Sequence, residues 1–263
     1  MTMMYKFCAK TDTGRARDNN EDSAVFDDAT NIAVLADGMG GYNAGEIASG
    51  MATAFIKSEL SRWLSEAGEG AKSKEVRRAL EICVDNANLS IYNSANSNAH
   101  YSGMGTTLVV AIFRDDKLMV GHIGDSRCYR ARGGEFEQIT RDHSLLQEQI
   151  DAGLITKEQS ANSSIKNLVT RALGVEESVL LEINEYPAEM GDTYLLCSDG
   201  LSDMVDDASI AKIMQSESDL AQKADLLIDL ANQHGGRDNI SVVLVEVCEA
   251  IEKRGLIARL LGK

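Results

Sequence analysis

The segments of this chain that are typical of strands and of helices come in blocks, without regular alternation, and this order constrains the fold most. Short β-rich runs bounded by Gly, Asp or Asn predict strands at 24–26, 31–36, 107–113, 118–123, 127–132, 193–197 and 240–247. Apolar residues at helical spacing predict helices at 44–64, 75–95, 143–152, 207–215 and 220–233. Blocks of this kind favour antiparallel sheet with segregated helices. We therefore expect an α+β fold in which two antiparallel sheets stack and helices lie outside them.

The domain organisation follows from the length and from the absence of a linker. The chain has 263 residues and one proline, Pro187, and no Pro/Gly/Ser-rich stretch divides it. We expect one domain at 1–248 and a tail at 249–263. The end of the tail, 252–263, mixes Lys and Arg with Leu and Ile, a composition that suits either a short amphipathic helix or a segment packed on the domain.

Charge and cysteine content exclude some classes of protein. The formal net charge is −15, which argues against a large basic face for nucleic acid. An acidic chain attracts cations, although the same surplus also serves solubility. The five cysteines are odd in number and show no C-x-x-C spacing, which predicts free thiols in a reducing compartment. The first ten residues do not resemble a signal peptide, and no apolar run reaches the roughly 20 residues of a membrane helix. We expect a cytoplasmic protein without an integral membrane segment.

Aspartates stand where the predicted strands end or begin. Asp37, Asp125 and Asp199 follow apolar runs, whereas Asp22 and Asp238 precede them. Antiparallel neighbours bring the end of one strand beside the start of the next. This places Asp22, Asp37, Asp199 and Asp238 on one rim of a sheet.

Four carboxylates at one rim repel one another unless cations bind there. Mg²⁺ and Mn²⁺ prefer such oxygen ligands, and the carbonyl of Gly38 is a further candidate. Asp-Gly after a strand is also a common turn signal. The spacing alone therefore leaves a metal site and ordinary turns both open.

Several short motifs resemble those of one known family. They are R-x-x-N-E-D at 17–22, DGMGGYNAGEIAS at 37–49, GTT at 105–107, GDSR at 124–127, SDGL at 198–201 and DNIS at 238–241. Each is weak alone, but together and in this order they resemble the type-2C metal-dependent protein serine/threonine phosphatases of bacterial type. The resemblance implies an α-β-β-α sandwich, which agrees with the order of blocks.

The resemblance also implies roles for the matched residues. Two catalytic Mn²⁺ or Mg²⁺ ions are expected on Asp22, Asp37, the Gly38 carbonyl, Asp199 and Asp238, with Asp37 bridging both and Glu21 acting through water. Asp125 matches the ligand of a third, weaker ion, and Arg17 matches the residue that holds the substrate phosphate. The implied reaction is direct attack on phosphoserine or phosphothreonine by a water that bridges the two ions. Arg17 and Asp37 are thus the expected catalytic residues.

Two departures from the family pattern affect the expected mechanism. Met39 stands where some members have a histidine proposed as the general acid, and Tyr42 stands where bacterial relatives often have one. We therefore assign no protein general acid. The segment 140–174 resembles the mobile flap of the family, but Ser163 and Ser164 replace its usual His-Pro. For His143, at the start of this segment, a capping or loop role is favoured over contact with the metals.

Three functions remain open on the sequence. The first is a protein phosphatase with phosphoprotein substrates, and the resemblance implies a Ser/Thr kinase that opposes it. The second is a catalytically silent module that binds phosphoproteins, against which the intact Asp22, Asp37, Asp199, Asp238 and Arg17 argue. The third is an enzyme that acts on small phosphoesters.

Overall fold

Two antiparallel sheets form the centre of the molecule. The structure is a computed structural model and describes residues 3–40, 44–156, 159 and 168–250. One sheet has the order β1-β11-β10-β7-β8, and the other has the order β2-β3-β5-β6-β9, with the short β4 paired to β3. The strands are β1 Met3–Asp12, β2 Asp22–Asp27, β3 Ile32–Met39, β4 Gly105–Thr106, β5 Leu108–Arg114, β6 Lys117–Ile123, β7 Arg127–Arg132, β8 Glu135–Gln138, β9 Glu182–Pro187, β10 Thr193–Cys197 and β11 Ile240–Glu249.

Helices cover the outer face of each sheet. In the described residues they are α1 Ala44–Ala67, α2 Ser73–Ser97, a 3₁₀ turn Ala99–Tyr101, α3 Leu145–Asp151, α4 Asp199–Ser202, α5 Asp207–Met214 and α6 Leu220–Gln233. The pair α1 and α2 packs on the sheet that contains β3, and α5 and α6 pack on the sheet that contains β11. The result is the expected α-β-β-α sandwich.

The alternation of side chains explains the three apolar layers. On β3, Ile32 and Val34 face the helices, while Ala33 and Leu35 face the other sheet. The central strands are therefore buried on both faces, which is why they read as continuous apolar runs. The layer between the sheets is rich in aromatic rings, and Phe113 lies 5.3 Å from Tyr194 between ring centroids.

Most predicted elements are confirmed, and two strands and a short helix are among those that were missed. The strand β1 was not predicted because lysines and threonines interrupt its apolar residues, although it pairs along its whole length with β11. The strand β9 was missed because acidic residues and Pro187 interrupt its apolar pattern, and the short helix α4 was missed because it begins at the turn signal Asp199-Gly200. No helix among the described residues has the length and apolar character needed to span a membrane. Tyr42, Ser163, Ser164 and the tail beyond residue 250 lie outside the described residues.

Candidate metal centre

Asp22 and Asp37 form one half of the candidate site. They stand directly opposite each other on β2 and β3, as the strand-end pattern predicts. The backbone of Asp37 is fixed, because its N–H donates to Thr107 Oγ1 at 3.0 Å and its carbonyl accepts from the Thr107 N–H at 2.9 Å. The Thr106 hydroxyl donates to the same carbonyl at 2.8 Å. The loop before β5 therefore determines where the Asp37 carboxylate lies.

Asp199 and Asp238 form the other half, and they belong to the opposite sheet. Asp199 is the first residue of α4, just after β10, and Asp238 stands two residues before β11. Gly200 packs so closely on the Asn239 carbonyl that any Cβ there would overlap with that oxygen. The prediction of a single rim is thus wrong. The four carboxylates converge because two stacked sheets end at the same place.

The loop that carries Glu21 joins the two halves. The Glu21 N–H donates to Asn239 Oδ1 at 2.7 Å, and the Glu21 carbonyl accepts from Gly38 N at 3.0 Å. The Asn239 amide group also donates to the carbonyls of Thr13 and Asn19, at 2.9 Å each. Asn239 therefore fixes this loop against the start of β11. A Cβ on Gly38 would overlap with the backbone of Gly45 at the start of α1, so only glycine fits there.

Burial and mutual repulsion make the carboxylates poor acids. Burial, and then the charges of Asp22, Asp199, Asp125 and Asp238, raise the pKa of Asp37 well above its usual range. The pKa of Asp199 is likewise raised well above its usual range, first by burial and then by the charge of Asp125. Burial raises the pKa of Asp22 to about 6 and that of Asp125 to about 6. The protein alone therefore does not compensate the negative charge of this cluster.

The donor set fits hard divalent cations. Asp22 Oδ2 accepts a hydrogen bond from Ser198 Oγ at 2.7 Å, but Asp22 Oδ1 is buried and has no hydrogen-bond partner among the described residues. A buried charged oxygen without a partner is costly. Carboxylate oxygens are the ligands that Mg²⁺ and Mn²⁺ prefer. The unpaired oxygen thus marks a place for a cation.

The carboxylates open into a small cavity with Arg17 at its edge. The cavity has a volume of about 230 Å³ and is lined by Arg17, Glu21, Asp37, Gly38, Met39, Gly40, Thr107, Asp125, Val169, Asp199, Asp238 and Asn239. Arg17 Nη2 donates to Asp238 Oδ2 at 2.8 Å, and half of the Arg17 side chain is exposed. Its other guanidinium donors make no hydrogen bond to the described residues, so they can bind an oxyanion at the cavity mouth.

The other predicted residues divide into those near the cavity and those behind it. Asp125 and Met39 line the cavity, and no lining residue in the described part of the chain is a histidine. His143 lies behind Asp125, and Ser144, not His143, caps α3 by accepting from the Gln147 N–H. Sequence reasoning did not single out Ser198 and Asn239 as positioning residues. Their only signal was their place next to Asp199 and Asp238.

Comparisons with known proteins agree with this geometry. Residues 13–238 match the family described as protein phosphatase 2C. The chain is 41% identical over 240 residues to the serine/threonine phosphatase Stp of Listeria innocua. This alignment covers 90% of this chain and 94% of that protein.

Solved structures give the same result. The crystal structure of the serine/threonine phosphatase PstP/Ppp of Mycobacterium tuberculosis has a TM-score of 0.85 and 37% identity, and covers 93% of this chain and 99% of that one. A structure of the catalytic domain of PstP in complex with two manganese ions has a TM-score of 0.82 and 36% identity, and covers 94% of this chain and all of that one. With its site at the shared end of two sheets, this chain belongs to the protein phosphatase 2C family of metal-dependent serine/threonine phosphatases.

Proposed function

We propose that this protein hydrolyses phosphoserine and phosphothreonine in phosphoproteins, with two Mn²⁺ or Mg²⁺ ions. The observation that carries the proposal is the convergence of Asp22, Asp37, Asp199 and Asp238 in one cavity, with an unpaired buried oxygen on Asp22. Asp22, Asp37, the Gly38 carbonyl, Asp199 and Asp238 would hold the two ions, Glu21 would contribute through water, and Asp125 would hold a third ion more weakly.

The residues of the chain have distinct tasks in this reaction. When bound, the ions supply a water nucleophile at neutral pH and neutralise phosphate charge. Arg17 stands at the cavity edge, where a guanidinium can bind two phosphate oxygens at once and orient the phosphorus for in-line attack. Asp37, which has the other four aspartates of the cluster around it, would be a central ligand of the ions. Met39 cannot donate a proton to the leaving alkoxide, so we assign that step to no described side chain.

The cellular setting is a further part of the proposal. A protein that removes phosphate from Ser and Thr implies a kinase that adds it, so we propose a Ser/Thr protein kinase as its counterpart. We also propose a cytoplasmic location, because the odd number of free thiols suits a reducing compartment.

The test is hydrolysis of a phosphothreonine peptide with Mn²⁺. We expect turnover that stops on chelation, and an Asp37→Asn variant that loses about a hundredfold or more in kcat, since the central ligand loses its negative charge. The same assay with a small aryl phosphomonoester measures the preference for peptides. Undiminished activity after chelation, or in Asp37→Asn, would refute the proposal. Mn²⁺ binding without turnover would instead indicate a silent binding module.

A further inference from the structure

His143 lies behind the cavity and contacts both the turn that carries Asp125 and residues 168–170. Its side chain is 7% exposed. The residue follows Asp142 at the start of the segment 140–174 and precedes α3. None of the roles proposed above uses it, although it is buried and can titrate.

Two hydrogen bonds join His143 to Gly124, the neighbour of Asp125. The His143 N–H donates to the Gly124 carbonyl at 2.9 Å, and the Gly124 N–H donates to His143 Nδ1 at 3.2 Å. Gly124 has a φ of +100°, which favours glycine. A Cβ on Gly124 would also meet Thr107 Cγ2 at 2.7 Å. The backbone just before Asp125 is therefore constrained by Thr107 on one side and by the hydrogen bonds of His143 on the other.

The hydrogen bonds of the His143 ring determine its tautomer. Because Nδ1 accepts from Gly124, the proton of the neutral ring is on Nε2. Nε2 lies 3.3 Å from Glu182 Oε2 and 3.3 Å from Arg171 Nη1. A guanidinium has no acceptor, so the His143 Nε2–H donates its hydrogen bond to Glu182 Oε2. Burial lowers the pKa of His143, which agrees with a neutral ring at pH 7.

The neighbouring His122 holds the ring in place. The two imidazoles stack with centroids 4.6 Å apart and planes 14° apart, and His122 Nε2 is bonded to the Arg141 carbonyl at 2.8 Å. His122 is 1% exposed. The orientation of His143 is therefore fixed by a carboxylate on one edge and by a buried ring on one face.

The same residue is bonded to the end of the flap. The His143 carbonyl accepts from the Thr170 N–H at 2.8 Å, and the next bond in this pairing runs from Leu145 N to the Leu168 carbonyl at 2.9 Å. Val169, between them, lines the cavity. His143 thus connects the flap residues beside the cavity with the turn that carries Asp125.

A transition-metal site is the alternative use of these side chains. Potential ligand atoms of His122, His143 and Glu182 lie within 4.8 Å of one another. A metal on His143 Nε2 would move the ring proton to Nδ1, where it would oppose the Gly124 N–H. The observed hydrogen bonds therefore favour a positioning role.

We propose that His143, oriented by Glu182, is a positioning residue that sets the Gly124–Asp125 turn and thereby the affinity of Asp125 for its divalent ion. The inference rests on the proposed function, because Asp125 acts there as the ligand of the third, weaker ion. The His143 carbonyl also accepts from Thr170, next to the cavity residue Val169.

Three variants of His143 separate positioning from simple packing. His143→Ala removes the acceptor for Gly124, and we expect the Mn²⁺ concentration for half-maximal phosphopeptide hydrolysis to rise about tenfold, as for other groups that orient metal ligands. His143→Asn keeps an oxygen near the place of Nδ1 and should restore most of the affinity. His143→Gln places its amide near Nε2 and should not. His100→Ala, at an exposed histidine, is the matched control.

A double-mutant cycle with Asp125→Ala decides whether His143 acts through Asp125. We expect His143→Ala to raise the half-maximal Mn²⁺ concentration in the wild type but to add nothing in Asp125→Ala, and titration calorimetry with Mn²⁺ should show the same pattern in the absence of turnover. Fully additive effects, or equal rescue by Asn and Gln, would overturn the inference. If His143→Ala does not fold in a thermal melt, the comparison of Asn with Gln, each alone and with Asp125→Ala, gives the same decision. A wild type without Mn²⁺-dependent turnover would refute the proposed function instead.

Discussion

At the scale of single residues, the candidate ligand Asp22 depends on Ser198, a neighbour that does not line the cavity. Ser198 is fully buried, donates to Asp22 Oδ2 at 2.7 Å and accepts from the Ser241 N–H at 2.9 Å. The hydroxyl therefore joins a carboxylate of one sheet to the backbone of the other. Such partners of metal ligands fix the ligand's orientation and raise metal affinity.

Replacing Ser198 by alanine should loosen Asp22 without unfolding the protein. We expect the Mn²⁺ concentration for half-maximal activity to rise by about ten- to a hundredfold, because the ligand loses its orienting hydrogen bond. Titration calorimetry with Mn²⁺ measures the same affinity without turnover. Ser94→Ala, which removes a hydroxyl bonded to its own helix, is the control. Equal affinities in the two variants would refute this role.

At the scale of elements, sequence reasoning predicted most of the strands but not which sheet each strand joins. The apolar runs that end in Asp37 and Asp199 predicted two strands correctly, and both aspartates line the same cavity. Their assignment to one sheet was wrong, because runs buried on both faces carry no mark of which sheet they join. Ser198 and Asn239 were missed as positioning residues since a hydrogen bond across two sheets leaves no periodic signal.

Two helical glycines differ in the space around them, and this predicts different effects of an added methyl group. Gly200→Ala forces a Cβ into the Asn239 carbonyl, so we expect α4 to shift and the Mn²⁺ affinity to fall at least tenfold. Gly50 lies within α1 with open space around its Cα. Gly50→Ala should instead stabilise the protein by about 0.5–1 kcal/mol. Thermal melts and Mn²⁺ titrations of both variants check the pair, and normal Mn²⁺ affinity in Gly200→Ala would contradict it.

At the scale of the whole molecule, the metal-free protein carries a cost in its cluster of carboxylates. The pKa values of Asp22 and Asp125 are raised to about 6, and those of Asp37 and Asp199 are raised further. Because a raised carboxyl pKa reflects a folded state that disfavours the charged form, the cluster destabilises the metal-free protein at neutral pH. The folded protein holds more protons than the unfolded chain between the ordinary and the raised pKa values. Stability linked to these groups therefore falls as the pH rises through that range.

This linkage predicts how stability depends on pH and metal. In the presence of a metal chelator, we expect the melting temperature to fall as the pH rises from about 4 to 7, since the clustered carboxylates lose protons in the folded state. Mn²⁺ should raise the melting temperature more at pH 7 than at pH 5, because it binds the deprotonated form. Asp37→Asn removes one of the repelling charges and should show a flatter pH dependence. Identical slopes for Asp37→Asn and the wild type would contradict the assignment.

The origin of the candidate ligands in two separate sheets has a mechanical consequence. Asp22 and Asp37 move with the sheet of β2 and β3, whereas Asp199 and Asp238 move with the sheet of β10 and β11. Any sliding of one sheet over the other changes the distances between the two pairs. Ions bound by residues of both sheets would hold the two sheets together at this end. Hydrogen exchange at this end of both sheets should therefore be slower with Mn²⁺ than in a chelator.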